Sequence, residues 1–177
     1  GFERLDASLQ AVMTELRAAM SGPTEPSLDT FLWSLGMKTS ARNAFRGVVS
    51  AVHEGAVNCE VTLKVSDAVE IIALVTKASL AELELEVGKP AVALVKSSFV
   101  ILAPGDEPLR TSARNRLVGV VVQHETGAVN DEIVLELDTG KTLTATVTRE
   151  SGETLPLKVG DKAQALIKAS HVILAVE

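Results

Sequence analysis

The spacing of apolar residues changes period along the chain, and each change marks a new element. Residues 2–20 run at helical period. Leu5, Leu9, Val12, Met13, Leu16 and Met20 recur at three- and four-residue steps, with Glu3, Arg4, Asp6 and Glu15 off that face. Gly22, Pro23 and Pro26 break this helix. A short second helix is predicted over residues 28–35, with Phe31, Leu32 and Leu35 apolar and Gly36 as its stop. From residue 44 the period falls to two. Residues 44–53 are a Val-rich strand. Residues 56–65 are a second, with Val57, Cys59, Val61, Leu63 and Val65 alternating with polar positions. Residues 69–76 are a third. Leu80, Leu83 and Leu85 then mark a short helix over 77–85, and strands follow at 91–96 and 99–103.

This second pattern is written twice. Residues 39–43 read TSARN, and so do residues 111–115. At an offset of 72 positions the match runs from Thr39 to Ala103 without a gap, with about 31 of 65 residues identical. The second copy repeats every piece: strands at 117–123, 129–137 and 142–148, a helical turn after Ser151, and strands at 163–168 and 171–176. Five short strands with one helix between the third and fourth is the order of an OB-type barrel. The expected fold is therefore mainly β: two tandem OB-like five-stranded barrels preceded by an α-helical segment. The expected domains are a helical linker or dimerisation segment over 1–37, a first barrel over 38–107 and a second over 108–177.

Composition narrows the function. The net charge of −6 leaves no general footprint for nucleic acid, and aromatic platforms for single strands are scarce: Phe45 and Phe99 in the barrels, neither aromatic in the other copy. One cysteine, Cys59, excludes an internal disulfide and a Cys-based metal cluster. No apolar run reaches membrane-spanning length. No phosphate loop of the form GxxxxGK[ST] occurs. The histidines, His53, His124 and His171, sit at non-equivalent positions, and no nucleophile–base pair is suggested, so an enzyme is not expected.

Divergence between the copies has replaced most surface residues, so the polar residues that both keep are informative. They are Thr39/Thr111, Ser40/Ser112, Arg42/Arg114, Thr76/Thr148, Ser79/Ser151, Lys96/Lys168 and Ser98/Ser170, with Lys77 exchanged for Arg149. Retained acid is almost confined to Glu60/Glu132. A net-acidic chain that keeps cations and hydroxyls twice looks like one that binds a small anion. Thr76 and Thr148 end a strand and open a helix, where unpaired N–H groups and the dipole favour an anion. Side chains two apart share a face of an extended segment, so Ser40 and Arg42 present a hydroxyl and a guanidinium together. Lys96 adds a point charge. The plainer alternatives are a simple helix cap at Thr76, a solvated strand end at Lys96, and a turn at TSARN in which Asn43 bonds the backbone.

These residues also carry a family resemblance. The string TSARN…GxV…GAVNxE…TxxS…GK/GD…AL…K…S…VILA over residues 39–175 resembles the Mop domain, a TOBE-like molybdate-binding module. Two in tandem look like the di-Mop region of ModE-type molybdate-responsive transcription regulators and of molbindin storage proteins. The resemblance implies a cytosolic homo-oligomer, a dimer in the regulators. It implies molybdate or tungstate held at subunit interfaces without a metal–protein bond, and no cofactor. On this chain the first site would use Ser40, Arg42, Thr76 and Ser79, with Lys96 and Ser97 from the neighbouring chain. The second would use Ser112, Arg114, Thr148, Ser151 and Lys168, with Ala169 in place of Ser97. A regulator should open with a winged helix-turn-helix, and no room for one exists before Phe2. The chain then reads as the sensor half of a regulator, reaching DNA only through a domain absent here, or as a stand-alone molbindin.

Overall fold

The computed structural model describes Val12, residues 39–138 and residues 140–177. The helices expected over residues 2–35 lie outside the described residues, apart from Val12, which is helical. Residues 40–177 form one unit. Its first copy comprises β1 (Asn43–Glu54), β2 (Asn58–Lys64), β3 (Glu70–Thr76), α1 (Lys77–Glu82), β4 (Pro90–Val95) and β5 (Ile101–Pro104). The second comprises β6 (Asn115–Thr126), β7 (Asn130–Leu137), β8 (Thr142–Thr148), α2 (Arg149–Thr154), β9 (Lys162–Ile167) and β10 (Ile173–Ala175). A single 3₁₀ turn precedes each last strand, at Ser97–Phe99 and Ala169–His171.

The period-two pattern works as expected in the strand interiors. Cys59, Val61 and Leu63 on β2 and Ile71 and Ala73 on β3 point inward and are buried. Ile133, Leu135, Leu143 and Ala145 do the same on β7 and β8. Val57 departs from the pattern. It lies in the turn before β2 and is exposed, as is its counterpart Val129. The fourth strands are buried on both faces, since Ala91–Val95 and Ala163–Ile167 are covered throughout. Such strands read as near-continuous apolar runs rather than alternating ones, and within Ala163–Ile167 the buried Gln164 is the exception.

Both sheets have five strands, and their order holds a surprise. The first runs β10-β4-β1-β2-β3 and the second β5-β9-β6-β7-β8. The copies trade their fifth strands. β5 pairs antiparallel with β9, Leu102 opposite Ala165, and β10 pairs with β4, Leu174 opposite Ala93. Neither sheet is complete without the other copy, so the two stand or fall together.

β1 and β6 are long and bent. A register shift lies between Val49 and Ala51, and again between Val121 and Gln123, as a β-bulge gives. Gly47 and Gly119 allow the close approach at this bend. A Cβ on Gly47 would run into the backbone carbonyl of Lys64, and one on Gly119 into that of Glu136. The obstacle is backbone, which cannot rotate away. Gly47→Ala is therefore expected to lower the unfolding free energy by about 1–3 kcal/mol. Urea denaturation would check this, since the midpoint should fall at unchanged slope.

Candidate functional site

The TSARN strings lie where the copies meet. Asn43 is buried, and its side chain reaches the other copy: Nδ2 donates to the Thr144 carbonyl and Oδ1 accepts from the Thr144 N–H, both at 2.7 Å. Asn115 repeats this on Ile72, at 2.8 and 2.7 Å. TSARN thus bonds the backbone, as the structural reading allowed, but across the repeat boundary. Thr144 and Ile72 lie on β8 and β3, the edge strands of the two sheets. Each carboxamide does the work of one residue of a further strand.

These anchors place the cations. Asn43 pairs with Val95, so the antiparallel register sets Arg42 across from Lys96 at the ends of β1 and β4. Arg114 and Lys168 are set the same way by the pairing of Asn115 with Ile167. Both arginines are half-exposed and turn onto the other copy. Arg42 donates to both Glu132 oxygens, at 3.1 and 3.4 Å. Arg114 donates to Glu60 at 2.8 Å. The retained acids are the partners of the retained arginines.

The 3₁₀ turns also cross over. Ser97 is buried, and its hydroxyl shares a hydrogen bond with that of Thr146 on β8, at 2.9 Å. Thr148 is two residues farther along β8 and so shares a face with Thr146. Phe99 stacks on His171 with ring centroids 4.6 Å apart, and the Lys96 ammonium lies 5.9 Å from the Phe99 centroid. Within one chain the fold thus brings Arg42, Lys96 and Ser97 of the first copy to the Thr146–Thr148 edge of the second. By symmetry Arg114 and Lys168 come to the edge of β3. Arg42 and Thr76 are not brought together this way: Arg42 leads into β1, and Thr76 pairs with Asn58, beyond the other end of that strand. Ser40 and Ser112 are exposed beside their arginines.

Thr76 and Thr148 are helix N-caps. Thr76 accepts from the Ser79 N–H at 3.1 Å and donates to the Ser79 hydroxyl at 2.9 Å. Thr148 and Ser151 do the same. This tempers the dipole argument. Each helix has six residues, and its first and third N–H groups are used: Lys77 donates to the Val57 carbonyl and Ser79 to the cap. What the region offers an anion is mainly hydroxyls and cations.

The two sides are not identical. Ser97 and Thr146 form a polar contact, whereas the matching residues, Ala169 and Leu74, are apolar. Ala169 in place of Ser97 is visible in the sequence, whereas the matching change of Thr146 to Leu74 gains its meaning only from the exchanged packing.

A TOBE domain model matches residues 39–102 and again 111–174. The chain belongs to the TOBE domain family. It is 46% identical to the molybdenum-pterin-binding protein MopA of Rhodobacter capsulatus over 99% of this chain and 66% of that protein. It is 39% identical to the molybdenum transport protein ModE of Azotobacter vinelandii, over the same shares. The chain thus spans about two thirds of the length of these relatives. Among solved structures it resembles the cytoplasmic molybdate-binding protein ModG with molybdate bound. That match has a TM-score of 0.76 at 48% identity, and covers 80% of this chain and all of ModG. The two tandem OB-like units of the TOBE chain are as the sequence pattern predicts, save for the exchange of their last strands.

Proposed function

We propose that this TOBE chain binds molybdate, or the similar tungstate dianion, and is not an enzyme. The observation that carries the reading is the register that sets Arg42 across from Lys96 and Arg114 across from Lys168 where the two TOBE copies meet, with the hydroxyls of Ser97 and Thr146 at the first of these places. The full set is Ser40, Arg42, Thr76, Ser79, Lys96 and Ser97 with Ser112, Arg114, Thr148, Ser151 and Lys168. An oxyanion there would exchange the carboxylates of Glu60 and Glu132 for its own oxygens. Contacts between chains of a homo-oligomer would repeat the meeting of copies seen inside one chain, so that a neighbouring chain supplies the lysine and serine to further sites. Barrels over 38–107 and 108–177, joined by exchanged strands, are the units of this assembly.

Two roles fit this chemistry. Stand-alone cytoplasmic binding is the better supported, because a chain matched along its whole length by the TOBE region suffices to hold molybdate in ModG. The second is the ligand sensor of a ModE-type regulator, which the similarity to ModE supports.

The test is a calorimetric titration with molybdate, repeated in excess sulfate. Heat that survives sulfate is the expected outcome, and none at any concentration would refute the reading. Lys96→Ala should weaken molybdate binding by roughly tenfold, since one exposed point charge contributes about 1–2 kcal/mol. It should also reduce the ligand-induced rise in assembly stability, read by sedimentation.

A further inference from the structure

The cores of the two copies differ at one coordinated place. In the first copy Val52, Cys59 and Leu80 are apolar; Cys59 is fully buried, and Leu80 on α1 belongs to the same core. The second copy has His124, Asp131 and Gly152 at the matching positions. The three exchanges fit one another. His124 Nε2 lies 2.7 Å from Asp131 Oδ2, and Nδ1 lies 2.8 Å from the Leu157 carbonyl. Asp131 is 1% exposed, and its other oxygen is buried without a hydrogen-bond partner. Gly152 lies directly on this carboxylate: a Cβ there would run into Asp131 Oδ2. Leu at 152 is incompatible with Asp at 131, and the small residue is accounted for by the acid beneath it.

The geometry also fixes the protons. A carbonyl only accepts, so Nδ1 must carry a proton toward Leu157. The 2.7 Å contact between Nε2 and Asp131 Oδ2 requires a second proton between those two atoms. With that proton on Nε2, His124 is an imidazolium whose charge compensates Asp131. Its hydrogen bond to Asp131 holds it above the usual histidine range, against the opposing effect of burial, and the Leu157 carbonyl adds to the rise. Other charged groups on the surrounding elements are Glu125 on β6, Glu132 on β7, Arg149, Glu150 and Glu153 on α2, and Lys158 beyond Leu157. Several are engaged elsewhere: Glu125 with Gln123, Glu132 with Arg42, and Arg149 with Glu153. Asp131 is the group whose charge acts on His124.

We propose that the His124–Asp131 pair is a proton-dependent prop beneath α2, so that the Thr148–Ser151 cap of the second copy loosens as pH rises while the Thr76–Ser79 cap of the first does not. The sign follows from linkage. His124 has its folded-state pKa above the unfolded value of 6.5, so its stabilisation is complete below pH 6.5 and is lost as pH rises through the folded-state pKa. Loss of the proton leaves a buried carboxylate without its countercharge, directly under Gly152. Any consequence for anion affinity rests on the function proposed above; the prop itself does not.

The repeat supplies matched reporters. The Leu155 N–H donates to the Ser151 carbonyl in α2, and its counterpart Leu83 donates to Ser79 in α1. Amide exchange and histidine NMR on the whole chain between pH 6 and 9 would compare them. The protection factor at Leu155 should fall at least about tenfold as the His124 ring titrates, with Leu83 unchanged. Equal pH dependence at both amides, or a His124 that is neutral at pH 6, would overturn the proposal. The variant His124→Val, Asp131→Cys, Gly152→Leu gives the second core the residues of the first. The parent should lose about 3 °C or more in Tm across this range and the variant should not. A variant with the parent's profile would also overturn the proposal. If the variant fails to fold, the Leu155–Leu83 comparison in the parent decides alone. Absence of molybdate heat at every pH would refute the binding function and leave this result standing.

Discussion

Asn43→Ala is expected to lower the unfolding free energy by about 2–4 kcal/mol, and the double change with Asn115→Ala by roughly twice that. Each carboxamide makes two hydrogen bonds of 2.7–2.8 Å to one backbone residue of the other copy. Those residues, Thr144 and Ile72, lie on edge strands, so no further strand can take over the freed groups. Truncation leaves one N–H and one C=O unpaired at each site, in positions where both asparagines are 2% exposed. An unmade buried bond costs about 1–3 kcal/mol, whereas the exposed Arg42–Glu132 pair contributes about 0–1. Beside the exchanged strands, the asparagines rather than the salt bridges are the polar contacts that hold the copies together. A domain of this size has about 5–15 kcal/mol in hand, so the double variant would be near the edge of folding. Urea denaturation of the single variants gives the measurement. A midpoint shift equivalent to less than about 0.5 kcal/mol would sink the argument. Asn43→Asp sharpens it: the shape is kept, but the donor to Thr144 is replaced by an acceptor, and it should be no better than Ala.

Much of this architecture was legible because the chain is written twice. The repeat gave the strand count and the cap at Thr76-x-x-Ser79. The exchange of β5 and β10 was not legible, for a reason the repeat itself creates. β4 and β9 share three of six residues and the same burial pattern, so a fifth strand finds equivalent partners in either copy, and local pattern cannot choose between them. The same ambiguity hid the partners of Glu60 and Glu132. Retention in both copies shows that an acid matters, not whether its arginine is in the same copy or the other. His124 and Asp131 were missed for the opposite reason. Comparing copies discards whatever differs, and this pair exists only where they differ. Val57 was misplaced because valine in a turn and valine in a strand look alike to a period-two count.

Arg42→Ala and Arg114→Ala should each weaken molybdate binding at one of two sites by roughly 30- to 100-fold, about 2–3 kcal/mol. The size of the effect comes from how the guanidinium is presented. Arg42 already holds two oxygens of Glu132 in a fork, which shows it oriented for a bidentate anion. A tetrahedral dianion offers the same pair of oxygens with more charge, so it can displace the carboxylate. Lysine cannot reproduce the fork, and Arg42→Lys should recover only part of the affinity. Stability separates this loss from misfolding: both pairs are exposed, so Tm should move by no more than about 2–4 °C while affinity falls. The two variants should also differ from each other. Arg42 works beside the hydroxyls of Ser97 and Thr146, whereas Arg114 works beside Ala169 and Leu74. More donors favour an oxyanion, so Arg42→Ala should remove the larger share of the heat. Titrations indistinguishable from the parent in both variants would mean that the arginines hold the copies in register and the anion binds elsewhere.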